Sequence, residues 1–176
     1  MNKTPNVLFW VKMGNGGNSA LVTLSRTNAF YPGDVVTGVL HLDIPTPIDS
    51  CGIFLKLTGK EYVHWSEQHS SGSGKRRRTH TVHYYGGSSL FKLTLPIKDS
   101  PCSSLSGQFE YPFEFQLPSD IPGSFEYRSG AVTGYILYKL KGVLARPGWF
   151  KSDIKHRVYI NVLSKPNLAV QRRLTF

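Results

Sequence analysis

Four consecutive cations, Lys75-Arg76-Arg77-Arg78, follow the small-residue run Ser70-Ser71-Gly72-Ser73-Gly74. Glycine amides beside a lysine can cradle a phosphate, but a P-loop needs Ser or Thr after its lysine, and Arg76 stands there. A second glycine cluster, Gly14-Asn15-Gly16-Gly17, lacks the third glycine of dinucleotide-binding spacing and reads as a hairpin turn. His80 and His83, with His64 and His69 upstream, are metal-ligand types, yet positions three apart on a strand face opposite sides. No metal site is expected. Glu110 and Glu114 share one side of a strand, as a glycosidase pair would, but they alternate with aromatics in the manner of an ordinary wet face. There is no G-x-S-x-G elbow, and neither Cys51 nor Cys102 has a neighbouring histidine to activate it. An enzyme is not expected, and no cofactor is implied.

The cations themselves are the stronger signal. The 176 residues carry 21 Lys and Arg against 11 Asp and Glu, a net charge of +10. From Arg128 to Phe176 the balance is +9, and from Ser66 to Thr81 it is +3, so the remainder is slightly acidic. Charge gathered into one loop and one end points to an anionic partner. The two cysteines have no C-x-x-C spacing, so the expectation is no disulfide framework, no zinc ribbon and a reducing compartment. The first apolar run, Val7 to Val11, is too short for a signal peptide, and no stretch approaches the ~20 apolar residues of a membrane-spanning helix. A soluble cytosolic domain is expected.

These residues need elements to hold them, and the apolar pattern supplies strands. With 40% apolar and 18% charged residues the chain can bury a core, and 12% aromatics with 17 Gly and 11 Pro favour strands joined by turns. Phe109, Tyr111, Phe113, Phe115 and Leu117 alternate with polar residues, one face dry and one wet. Pro112, within that run, cannot donate to a ladder and so marks an edge or a bulge. The same period of two recurs at Val36–Leu42, Ile53–Leu57, Phe91–Leu95 and Ile154–Val162. Between Ala131 and Ala145, Ile136, Tyr138, Leu140 and Leu144 fall on one side, with Lys139 and Lys141 on the other. Lys155 and Arg157, on a neighbouring strand, extend that basic side. Nine or ten strands and no amphipathic helix predict an all-β, immunoglobulin-like antiparallel sandwich. The polar stretch from Gln68 to Arg78 is expected to be a solvated hairpin loop.

Specific motifs then resemble a known family. Phe30-Tyr31-Pro32-Gly33-Asp34-Val35-Val36-Thr37-Gly38-Val39 is similar to the Y-x-P-G-D-x-V-x-G turn and strand of the arrestin superfamily's N-terminal lobe. Gly107 to Pro118, with Pro112, Phe113 and Phe115, followed by Ile121-Pro122-Gly123-Ser124-Phe125-Glu126, resembles the P-F-x-F-x-L-P and P-x-S-F-E blocks of α-arrestins. Gly130, Tyr135 to Leu140 and Arg146-Pro147-Gly148-Trp149 continue the match. Structural roles are expected for Pro32, Gly33, Asp34, Gly38, Pro112, Phe113, Phe115, Pro118, Pro122, Ser124 and Phe125, the last as a core plug. The resemblance implies an arrestin-type β-sandwich over residues 1–165 and the start of an interlobe linker over 166–176.

The resemblance further implies a non-enzymatic trafficking or signalling adaptor. Such a protein binds cytoplasmic tails of membrane proteins and is recruited from the cytoplasm to the plasma membrane or endosomes. It links to a ubiquitin ligase or coat proteins through regions this chain does not contain. Lys12 and Arg26 lie where visual and β-arrestins carry phosphate-sensing cations, although their paired lysines are reduced here to Lys12 alone. The relatives' cationic helix is replaced by Lys98-Asp99-Ser100-Pro101-Cys102. The anion-contacting candidates are therefore Lys12, Arg26, Lys75, Arg76, Arg77, Arg78, Lys139 and Lys141, although the Lys75–Arg78 run reads equally as a solvated loop tip and the Lys139 and Lys141 face equally as a surface that docks against a second lobe. An alternative reading is a basic β-sandwich module that binds anionic lipid or nucleic acid directly.

Overall fold

The computed structural model describes residues 17–26, 29–99, 101–148 and 151–164. Among them are nine strands and one three-residue 3-10 turn, Gly74–Arg76. The strands are β1 (Ser19–Leu24), β2 (Ala29–Phe30), β3 (Val35–Ser50), β4 (Ile53–Ser71), β5 (Arg78–Lys98), β6 (Ser103–Gln116), β7 (Phe125–Ser129), β8 (Val132–Leu144) and β9 (Ile154–Val162). One sheet has the order β1-β3-β6; the other runs β2-β9-β8-β4-β5, with β7 also paired to β8. All pairings are antiparallel except the two-residue contact of β2 with β9, which is parallel. The expected sandwich is present.

Its core is the product of alternation. Val36, Leu40 and Leu42 of β3 meet Leu55 and Leu57 of β4 and Tyr138, Leu140 and Leu144 of β8, all essentially sealed from solvent. On β9, Ile154, Ile160 and Val162 close the same layer. Gly38 is required by close approach: a Cβ there would meet the Thr23 carbonyl oxygen and stand 2.6 Å from the Phe113 ring. At the Tyr31-Pro32-Gly33-Asp34 turn, Gly33 has φ of +88°, the left-handed region that favours glycine. The Asp34 carboxylate accepts the Tyr31 N–H at 3.0 Å, and Gly33 donates to the Pro118 carbonyl at 3.2 Å.

Polar groups stitch the two layers. The Val22 N–H donates to His156 Nδ1 at 3.1 Å, joining β1 to β9 across the sandwich. Tyr138, fully buried, donates its hydroxyl to the Pro122 carbonyl at 2.6 Å, and burial pushes its pKa up to about 12. Ser124 fastens the segment after β6 by accepting the Val162 N–H at 2.8 Å. Pro112 lies on β6, an edge of the smaller sheet among the described residues.

Three expectations fail. Phe125 is 53% exposed, because β7 pairs with the end of β8 that the second sheet does not cover, so it plugs no core. The stretch 68–78 is not a loop: β4 and β5 stay paired to Ser71↔Arg78, leaving only residues 72–77 as the turn. Cross-strand pairing carries the polar sequence through as ladder, without any apolar face. Third, Cys51 and Cys102 form a disulfide, their Cα atoms 4.0 Å apart. The β3–β6 ladder ends at Ser50↔Ser103, so the next residue beyond on each chain is a cysteine, and the two face each other.

Because this bridge joins positions separated by 51 residues, reduction or the double substitution Cys51→Ser/Cys102→Ser is expected to cost about 4 kcal/mol through loop-closure entropy. Urea unfolding with and without reductant measures it; identical midpoints would show that the bridge constrains nothing.

Candidate functional site

The outer face of the larger sheet is built by the same alternation that fills its inner face. Leu57, Leu140 and Val158 stand in one cross-strand row on the inner side. The adjacent row, turned outward, is Lys56, Lys141 and Arg157. Lys139 lies beside Thr58 and Tyr159 in the next outward row, and Lys155 sits opposite Val143. Five cations on three neighbouring strands thus share one surface. Like charges placed directly opposite on a sheet are destabilising, and Lys56↔Lys141↔Arg157 does this twice.

Electrostatics register the crowding. Burial, then the charges of Lys139, Lys155, Lys56 and Arg157, hold the Lys141 ammonium below the usual lysine pKa. All 11 Asp and Glu fall within the described residues, and none forms an ion pair with these five cations. Among the described residues the face is a cationic array without ion-paired counter-charges.

Farther along the same face is a shallow depression of roughly 460 Å³. Lys60 and Lys92 flank it, and Tyr62 and Tyr135, stacked with ring centroids 5.0 Å apart, form one wall with Tyr85 nearby. Its floor at Gly86-Gly87 is backbone, since a Cβ on Gly87 would lie 2.6 Å from the Glu61 carbonyl oxygen.

Beyond Trp65↔Val132, β8 no longer flanks β4, and the β4–β5 hairpin continues as a two-stranded arm. Arg76, Arg77 and Arg78 are exposed at its tip, where the Arg77 guanidinium donates to Ser70 Oγ at 3.3 Å. The Lys75 side chain lies outside the described structure. Fifteen residues separate Lys56 from Ser71, or about 50 Å of strand, so tip and cationic face do not share one small ligand. His80 and His83 do face opposite sides of the arm, but each meets a histidine of β4. His69 and His80 stack at 5.8 Å, and His64 Nε2 lies 3.2 Å from His83 Nδ1. Reading one strand at a time misses both pairs. Among the described residues, no group of three or more His, Cys, Asp or Glu is placed to hold a metal ion.

Lys12 lies outside the described residues. Arg26 is engaged: its guanidinium donates to the Asp34 carboxylate at 2.6 Å and covers the Phe30 ring at 4.4 Å. An incoming anion there has to compete with Asp34. Strand edges are the remaining features. β5 pairs only with β4 among the described residues, so none of these strands covers its other backbone edge. The β6 edge is interrupted by Pro112.

A two-layer sandwich with an open edge strand and the Pro32-Gly33-Asp34 turn is of the arrestin N-lobe type. The chain belongs to the arrestin family: residues 21–169 match the pattern described as "Arrestin (or S-antigen), N-terminal domain". It is 30% identical over 168 residues to Arrestin domain-containing protein A of Dictyostelium discoideum, covering 90% of this chain and 28% of that protein. It is 31% identical to an arrestin domain-containing protein of Schizosaccharomyces pombe, covering 82% of this chain and 23% of the relative. A second protein of that yeast, named for an arrestin-related trafficking adapter role, is 26% identical over 77% of this chain and 24% of its own length. The chain therefore spans about a quarter of these relatives. The sporulation control protein Spo0M of Bacillus subtilis shares the fold, with a TM-score of 0.52 at 17% identity, over 89% of this chain and 55% of that one.

Uncompensated repulsion makes a direct prediction. Lys141→Gln is expected to melt no lower than the parent, and higher at low salt, with the difference shrinking as salt screens the face. A lower melting temperature at low salt would contradict the repulsive reading.

Proposed function

We propose that this chain is the cargo-recognising lobe of a non-enzymatic trafficking adaptor. It binds cytoplasmic tails of membrane proteins and connects them to endocytic or ubiquitination machinery. Family membership supports the class, and one observation supports the mode: among the described residues β5 has a strand neighbour on one side only, so its other edge is available for an extended peptide to pair with. Strand addition of this kind draws affinity from main-chain bonds and selectivity from alternate side chains. Here those side chains would meet the depression framed by Tyr62, Tyr85, Lys60 and Lys92. Arg26 joins as an anion contact when a phosphate displaces Asp34, and Arg76, Arg77 and Arg78 extend the surface at the arm's tip. On family grounds the protein works in the cytoplasm, where the Cys51–Cys102 bridge would be an exception to the usual reduced state of thiols, and it is drawn to the plasma membrane or endosomes by its cargo. The lobe is assigned to residues 1–165 and the start of a linker to 166–176; residues 1–16 and 165–176, and with them that boundary, lie outside the described residues. None of the described residues forms a helix long and apolar enough to cross a membrane.

An array of cytoplasmic-tail peptides, phosphorylated and unphosphorylated, tests this at low and high salt. Sequence-selective binding that survives high salt is expected. Along β5, alternate N–H groups point into the ladder with β4 and out to the free edge. Of Thr81→Pro and Val82→Pro, one therefore blocks the edge and should weaken peptide binding about tenfold, the order of one or two lost main-chain hydrogen bonds. Binding that vanishes at high salt for every peptide would contradict the adaptor reading, as would two proline variants that bind like the parent.

A further inference from the structure

We infer that the outer face of β4, β8 and β9 is a membrane-docking surface for the anionic headgroups of a phospholipid bilayer. Lys56, Lys139, Lys141, Lys155 and Arg157 are its contacts. This goes beyond the adaptor reading, which concerns what the edge of β5 captures.

The first support is the missing counter-charge. Directly opposed cations on Lys56, Lys141 and Arg157 are a cost that, among the described residues, no Asp or Glu side chain offsets by an ion pair. Burial and four neighbouring cations disfavour the charge on Lys141, and an external anion would relieve that. A phosphate or carboxylate layer laid on this face converts mutual repulsion into attraction.

Shape selects the kind of polyanion. The cations occupy a block, about 4.8 Å apart between strands and about 6.7 Å between successive outward positions on one strand. A peptide chain follows a line and can satisfy one such row. A fluid bilayer offers charge in two dimensions, and its headgroups relocate beneath whatever pattern the protein presents. Lysine also suits this task, for its long apolar stem reaches while its head stays wet.

Aromatic residues continue the surface. On the same outward side stand Tyr62, Tyr135 and Tyr85, the last 67% exposed. Tyrosine carries an apolar ring and a polar tip, the combination that settles at the level of lipid headgroups. With this face against the membrane, the free edge of β5 lies at the rim of the contact, within reach of a tail that emerges from the same bilayer.

The experiment is co-sedimentation of the 176-residue protein with phosphatidylcholine vesicles, with and without phosphatidylserine, at low and high salt. Binding is expected only with phosphatidylserine and only at low salt. Each cation near an anionic surface contributes about fivefold in affinity, so Lys139→Gln/Lys141→Gln should bind roughly 25-fold more weakly. That variant relieves repulsion, so a melting scan should show it folded at least as stably as the parent. The comparison variant Arg76→Gln/Arg77→Gln/Arg78→Gln should lose far less, because its sites are on the remote arm. The inference is overturned by equal binding to neutral vesicles, by an unchanged face variant, or by an equal loss in the arm variant. It is also overturned if a linear polyglutamate displaces the protein from vesicles at matched charge concentration, which would make an acidic peptide the occupant. Tail-peptide binding has its own readout, so either result leaves the adaptor reading to stand or fall separately.

Discussion

Everything on this sandwich depends on the register of β8 between β4 and β9. Burying Tyr138, Leu140 and Leu144 against the second sheet removes water from the largest fully buried side chains of the strand, at about 25 cal/mol for each Å² of apolar surface. With a side-chain period of two, slipping either neighbour by one residue would exchange its dry and wet faces. The register that opposes Leu57, Leu140 and Val158 inside therefore also opposes Lys56, Lys141 and Arg157 outside. Core packing and surface charge are one decision seen from two sides. The repulsion on the outer face is small beside the burial that imposes it, and so it persists.

That coupling organises the functional surfaces. The sheet centre is covered on its inner side, and it presents cations at the spacing its strands set. Toward the other end of β4 and β5 the second sheet runs out, the hairpin loses its cover, and the exposed arm with its histidine pairs and arginine tip begins. The depression at Gly86-Gly87 sits between the two regimes, where the covered sheet gives way to the arm. At the opposite end, the Cys51–Cys102 bridge ties the bend between β3 and β4 to the crossover between β5 and β6. Both tethered segments carry the chain from one sheet to the other, so the bridge holds the two layers in place at that end.

What could be read from the sequence was whatever depends on neighbours close along the chain. Alternation at Phe109–Leu117 and Ile136–Leu144 placed the strands and their buried sides, and Pro32-Gly33-Asp34 announced its turn through backbone requirements of those residue types. Lys139 and Lys141 were correctly turned away from the core for the same reason. Properties set by long-range pairing were hidden. The disulfide appears only when Ser50 is known to face Ser103, and the histidine pairs only when Trp65 is known to face Tyr84. Phe125 misled because the P-x-S-F-E resemblance cast it as a core plug, whereas it stands 53% exposed on β7. Gln68–Arg78 misled in the opposite sense, since a polar, Gly/Ser-rich segment is extended into strand by its partner and not by burial. Arg26 looked like a free cation in sequence and is held by Asp34, eight residues away across the turn.

The central claim is that core register forces a self-repelling cationic array onto the outer face. It is tested most directly by titrating the Lys141 side chain by NMR in the parent and in Lys56→Gln. The account predicts a Lys141 pKa below the ordinary lysine value of 10.5, moving upward when Lys56 loses its charge. An ordinary value, or one indifferent to Lys56, would contradict it.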